Sequence, residues 1–285
     1  MPGITKILRL EFNSGILRYL LSLYYKPNRY YRIPFGHLKG LKMWYDRSIN
    51  YHAILGLWEQ SNFNLLDNVV RRLLKDKDSL TVHDVGANIG LFSLFFTKYS
   101  SRIKVVAFEA APETTKKLEK NVTANEATNI KIVQQAVSDE NGTVDFFLAH
   151  HHKSSLLYSW ASDQGNTHVE KVSVPAITLD AYVERNDNCI PDLIKIDVEG
   201  GGASVLAGAR QIIAAGRPII LFESHLPVED DAVIDLLKTL RYKAYRISNS
   251  EWVINQTANY REPDGVWGTM LLIPFEKNPM FNDIL

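Results

Sequence analysis

Leu80-Thr81-Val82-His83-Asp84-Val85-Gly86-Ala87-Asn88-Ile89-Gly90-Leu91 is the stretch on which the fold turns. Leu80 to Val85 is largely apolar and reads as a buried strand, and Leu91 to Lys98 reads as a helix. Between them lie two glycines, which let a backbone turn sharply and come close to a ligand. The start of a helix offers unpaired N–H groups to an anion. A strand, a glycine loop and a helix in this order place a ligand site beyond the carboxyl end of the strand.

Outward from this stretch, strands and helices alternate. Lys104 to Phe108, Ile130 to Val133, Leu193 to Ile196 and Ile219 to Phe222 read as further strands. Pro112 to Asn125, Ala203 to Ala214 and Ala232 to Leu240 read as helices, with Pro112 where a helix start tolerates proline. The alternation predicts an α/β protein with a mostly parallel sheet covered on both faces. Gly142 to Leu148 and Val169 to Val174 are expected as an inserted pair of strands, and Thr269 to Ile273 as a strand closing the sheet edge.

Two cofactor classes suit such a loop. A dinucleotide fingerprint is G-x-G-x-x-G, whose second glycine admits the pyrophosphate. Gly86-Ala87-Asn88-Ile89-Gly90 is instead G-x-x-x-G. Glu109 ends the next strand, where a carboxylate can accept both hydroxyls of a ribose; it would serve a nicotinamide dinucleotide equally well. A nicotinamide-dependent oxidoreductase therefore stays as an alternative at this point.

Residues 1–77 differ from residues 78–285. They are rich in Tyr, Trp, Leu and basic residues. Ile4, Ile7 and Leu8, then Leu17, Leu20, Leu21 and Tyr24, follow helical spacing, interrupted by Pro27 and Pro34. This predicts a helical extension packed on the main domain. An acceptor lid, a homo-oligomer contact and a membrane-surface helix are its other readings. Ile16 to Tyr25 contains Arg18 and Ser22 and is too short to span a bilayer.

The 285 residues are 46% hydrophobic, enough for a sizeable core, and carry 32 basic against 32 acidic side chains. A net charge of zero argues against bulk binding of nucleic acid. Cys189 is the single cysteine, so no disulfide forms within the chain, and a cytoplasmic setting is expected.

Several motifs then fall in order. Val82 to Ser93 resembles the S-adenosylmethionine (SAM) motif of the FkbM family of methyltransferases, and Val106-Ala107-Phe108-Glu109-Ala110-Ala111-Pro112 resembles its second motif, followed by Asn121 and Asn125. Gln135-Ala136-Val137-Ser138, Thr178-Leu179-Asp180, Leu193-Ile194-Lys195-Ile196-Asp197-Val198-Glu199-Gly200 with Val205-Leu206-Ala207-Gly208-Ala209, and Ile219 to His225 resemble later ones. The resemblance implies a class I, Rossmann-like SAM-methyltransferase fold, with a seven-stranded sheet whose last strand is antiparallel. It also implies O-methylation of a sugar, glycan or other metabolite. On this reading SAM lies against Asp84, Gly86, Ala87, Asn88, Gly90, Leu91, Glu109, Ala110, Asn125, Ala136, Val137 and Asp197. One position departs: after Gly200 the family usually has a small residue and then glutamate, where this chain has Gly201 and Gly202. That loss keeps a non-catalytic SAM-binding protein open as another alternative.

Methyl transfer from a sulfonium is an in-line displacement, helped chiefly by positioning. A hydroxyl acceptor also has to lose a proton, to a base or with a metal's help. Asp197, Glu199, Glu223 and His225 lie at the ends of the fourth and fifth strands. His225 is the preferred base, because an imidazole ordinarily titrates nearest neutrality; Asp197 is the alternative. Asp197, Glu223 and His225 together suit a divalent ion, but no tight ligand spacing supports one, and the expectation is no metal. His150-His151-His152 reads as a surface loop near the acceptor, and Asp180 as a helix cap rather than a catalyst.

Overall fold

A computed structural model describes residues 15–99, 101–148, 155, 169–187, 189–248, 250–253 and 266–283. The spacing Ile4, Ile7, Leu8 and the triplet His150 to His152 lie outside them.

The predicted parallel strands form β3 (Leu80–Val85), β4 (Ile103–Phe108), β5 (Ile130–Val133), β9 (Leu193–Ile196) and β10 (Ile219–Glu223). They pair side by side in the order β5-β4-β3-β9-β10, each parallel to its neighbour. Every residue of β9 is buried, as expected of a strand covered on both faces. β13 (Thr269–Pro274) runs antiparallel to β10. It does not close the edge, contrary to the expectation. β11 (Tyr242–Arg246) and the two-residue β12 (Glu251–Trp252) pair beyond it, so the sheet has seven longer strands and a short eighth. The inserted strands are β7 (Gly142–Leu148) and β8 (Glu170–Ile177), which form a separate sheet with β6 (Ala136–Val137).

The helix expected over Leu91 to Lys98 is shorter: α4 (Leu91–Phe95) gives way to a 3₁₀ turn over Phe96–Tyr99. Pro112–Ala124 forms α5 with its proline at the start. The helix expected over Ala203 to Ala214 is broken into α7 (Gly202–Ala207) and α8 (Arg210–Gly216). The break is at Gly208, where a Cβ would stand 2.0 Å from the Ser138 carbonyl oxygen. α6 (Leu179–Arg185) is capped by Thr178, and α9 spans Pro227–Thr239. Asp180 does act as a cap, but for α8: its carboxylate accepts from Gln211 N at 3.0 Å and Ile212 N at 2.9 Å.

The extension is only partly helical. α1 (Gly15–Tyr24), α2 (Tyr51–Leu55) and α3 (Gln60–Asp76) flank an antiparallel hairpin of β1 (Arg29–Arg32) and β2 (Lys42–Tyr45) that the spacing did not foretell. α3 buries Phe63, Leu66, Val69, Val70, Leu73 and Leu74, a stripe at helical spacing. These residues share one apolar cluster with Leu80, Val82, Phe95 and Val105 of the parallel sheet and its first helix. The extension is thus part of the main core. Among the described residues no helix is long and apolar enough to cross a membrane.

Candidate active site

The glycine loop approaches the end of β9 so closely that a Cβ on Gly86, whose φ is +74°, would lie 1.9 Å from the Asp197 carbonyl oxygen. Gly90, with φ +91°, leaves no room for a side chain against Leu118 of α5. The loop is held at both ends by these contacts. It opens onto a cleft of about 760 Å³, counted to its mouth, at the carboxyl ends of β3, β4 and β9.

Of the expected cofactor residues, Gly86, Asn88, Glu109, Ala110, Ala136, Val137 and Asp197 line this cleft, as does Glu199 from the catalytic set. Asp84, Ala87, Gly90, Leu91 and Asn125 do not. Asp84 is fully buried beneath the loop and accepts from the Ser93 hydroxyl at 2.6 Å. Ala87 packs with Ala107 and Leu118. Leu91 packs against the large cluster shared with the extension. Asn125 spends its amide on the hairpin, accepting from Lys42 N at 2.8 Å and donating to Lys42 O at 2.7 Å. Asn121 joins the same strand to the glycine loop, accepting from Trp44 N and donating to Ile89 O.

Glu109 accepts Asn88 N at 2.8 Å and Ala111 N at 2.9 Å, so it braces the loop and the start of α5 together. Burial pushes its carboxyl up, against those two backbone donors, which favour the ionised form. Each oxygen keeps a second acceptor site. The Asn88 side-chain oxygen is buried at the cleft with no hydrogen-bond partner among the described residues. An acceptor left this way fits a ligand that brings an N–H donor. Phe108, Ala136, Val137 and Phe146 add an apolar wall.

Lys195 carries a weight that its place in a motif did not reveal. Its ammonium is buried in β9, donates to Gly86 O at 2.7 Å, and stands 3.5 Å from Asp84 Oδ1 and 3.3 Å from Asp197 Oδ2. Burial would lower its pKa, but Asp197 and Asp84 outweigh burial and raise it. The available signal was one charge in the otherwise apolar strand Leu193–Ile196.

The four catalytic candidates do come together. His225 Nε2 lies 3.7 Å from each of Asp197 Oδ1, Glu199 Oε2 and Glu223 Oε1. The charge of Asp197, then burial, raises the pKa of Glu223. Asp197, Glu223 and His225 offer donor atoms within 4.8 Å of one another and could hold a divalent ion. The loop carrying His225 is fixed by Glu229, a fully buried carboxylate of α9 that accepts His225 N at 2.6 Å, Leu226 N at 2.9 Å and Gly202 N at 2.6 Å. Glu229 therefore supplies a carboxylate at the position where the chain lacks the expected one. The sequence pattern begins this helix at Ala232 and gives Glu229 no role; the structure starts it at Pro227 and so brings Glu229 into the first turn.

A glycine loop after the first of five parallel strands, with an antiparallel strand inserted between the fifth strand and a sixth, defines the class I methyltransferase fold. Residues 84–247 match the methyltransferase FkbM domain, more than half of the chain, and the protein belongs to that family of methyltransferases. It is 28% identical to the methyltransferase sdnD of Sordaria araneosa, over 44% of this chain and 58% of that protein. It is 25% identical to the hexuronic acid methyltransferase AglP of Haloferax volcanii, over 68% of this chain and 76% of that protein. Identity to the 2-O-methyltransferase NoeI of Sinorhizobium fredii is 23%, over 60% of this chain and 76% of that protein.

Proposed function

We propose that this methyltransferase uses SAM to methylate a hydroxyl group of a sugar, glycan or other small metabolite. The observation that carries the proposal is His225 Nε2, set 3.7 Å from three carboxylates beside the cleft. The names of AglP and NoeI, with their hexuronic acid and 2-O positions, support a sugar hydroxyl as acceptor. Bound SAM supplies a sulfonium leaving group. The chain's part is to hold donor and acceptor in line and to take the acceptor's proton. Gly86, Asn88, Glu109, Ala110, Ala136, Val137 and Asp197 would hold SAM, with Glu109 on the ribose; Asp84, Ala87, Gly90 and Leu91 shape the loop from behind.

His225 Nε2 accepts the proton of the acceptor hydroxyl, and the carboxylates of Asp197 and Glu199 stabilise the imidazolium that results. Glu229 fixes the backbone on either side of this step. Its carboxylate is wholly buried beside Gly202 and is spent on three backbone N–H groups, which gives it a positioning role. A divalent ion at Asp197, Glu223 and His225 is a second reading, favoured by their convergence. The Lys195 ammonium already balances Asp197, so the metal-free reading is preferred.

Transfer from labelled SAM to a panel including hexuronic acids, with and without chelator, tests both. His225→Gln should lower turnover by roughly 10²–10⁴-fold with SAM affinity unchanged. Full turnover in that variant would place the base elsewhere, and activity lost to chelator and restored by Mg²⁺ or Mn²⁺ would establish the metal.

A further inference from the structure

We propose that the face formed by α1 and the adjoining hairpin docks on an anionic lipid surface. α1 is turned inside out for a helix at the edge of a core. Leu17 and Leu21 pack inward, while Tyr19, Leu20, Leu23 and Tyr24 are 63%, 54%, 51% and 69% exposed. These four fall at i, i+1, i+4 and i+5 and make one continuous stripe. A contiguous exposed apolar stripe of this kind marks an interaction surface.

The charge around the stripe identifies the partner. Residues 15–47 contain seven Lys and Arg against one acid, Asp46, a net of +6 in a chain whose total is zero. Asp46 is itself paired with Lys117 of α5 at 2.8 Å. Arg18, Lys26, Arg29, Arg32, Lys39 and Arg47 are exposed and form no ion pair among the described residues. The helix end is tied to the hairpin, because the Tyr31 hydroxyl accepts from Lys26 N and donates to Tyr24 O. The stripe and the charges are therefore held on one unit. Leucine and tyrosine entering the headgroup boundary, and exposed cations of the same helix and hairpin that meet lipid phosphates, are the two components of interfacial binding. A second copy of the chain is the weaker partner, since a two-fold contact would set +6 against +6.

The test is co-sedimentation of the full chain with vesicles of phosphatidylcholine alone and of phosphatidylcholine with phosphatidylglycerol, at low and high salt. Binding is expected with the anionic vesicles only and should weaken in salt. The variant Leu20→Ser/Leu23→Ser should bind at least about tenfold more weakly. Arg18→Ser and Arg29→Ser should each cost about fivefold. All these positions are exposed and outside the cleft, so melting temperature and SAM binding should match the parent protein. Failure of the parent protein to sediment with anionic vesicles overturns the proposal, as does binding that ignores lipid charge or survives both sets of substitutions. A dimer in sedimentation equilibrium that Leu20→Ser/Leu23→Ser dissociates also overturns it, and assigns the face to a second copy.

Discussion

The backbone N–H of Gly202 donates to Glu229 Oε1 at 2.6 Å, and a Cβ on Gly202 would stand 2.7 Å from that same oxygen and 2.7 Å from Phe222 Cζ. The two residues exclude each other's alternatives. A glutamate at position 202 would bring a second carboxylate onto a buried one, and Glu229 satisfies the amide only because position 202 has no side chain. Gly202→Ala is expected to cost about 1–3 kcal/mol by overpacking, and Gly202→Glu more. In a Glu229→Ala background the cost of Gly202→Ala should shrink, because one of the atoms it strikes is gone. Urea denaturation of the four proteins measures this coupling; equal costs in both backgrounds would show the residues to be independent.

Lys195 joins the two halves of the site. It holds Gly86 of the cofactor loop by its carbonyl and stands between Asp84 and Asp197. Lys195→Met fills the space but leaves two carboxylates facing each other with no cation. Breaking a buried pair by removing one partner costs roughly 3–5 kcal/mol. The variant should unfold at lower urea and bind SAM more weakly. Stability equal to the parent protein would mean that the carboxylates find another partner.

Asn125 separates a packing role from a ligand role. Its amide bonds the backbone N–H and C=O of Lys42 in β2 and also donates to Asn121 O at 2.7 Å, away from the cleft. Asn125→Ala takes the partner from the half-buried N–H and C=O of Lys42 and should cost about 1 kcal/mol while SAM affinity stays unchanged. The opposite result, weakened SAM binding at full stability in calorimetric titration, would return Asn125 to the cofactor.

Much of this architecture was legible. The loop from Gly86 to Gly90, its flanking strands and the acid at Glu109 carry strong local signals, since glycine, periodicity and strand-end charge each report on the backbone directly. What escaped notice depends on contacts distant in sequence. β11 alternates Tyr, Lys, Ala, Tyr and Arg, and is a buried strand only because β13 pairs with it. The four-residue strands Arg29–Arg32 and Lys42–Tyr45 have no periodicity long enough to read, and are fixed by Asn121 and Asn125 reaching from α5. The four candidate groups at Asp197, Glu199, Glu223 and His225 were found because strand ends in a parallel sheet gather. Glu229 was missed because it acts on Gly202, 27 positions earlier, through a fold that no local pattern encodes.

His83 sets a pH dependence apart from catalysis. Its ring is fully buried in β3, with ring centroids 5.6 Å from Phe108 and 5.8 Å from Tyr182, and neither nitrogen has a hydrogen-bond partner among the described residues. Burial lowers its pKa from 6.5 to about 3. In the unfolded chain the imidazole takes a proton below 6.5, whereas the folded protein does not until about 3. The unfolded state therefore binds more protons in that window, and stability falls as pH drops through it. At about pH 5 the loss from this one group is of order 2 kcal/mol relative to neutrality. His83→Leu removes the titration and the two unsatisfied nitrogens. The stability of the variant relative to the parent protein should rise steadily as pH falls from neutrality toward about 4. Chemical denaturation at a series of pH values gives that difference directly; a constant offset would assign the acid sensitivity to other groups.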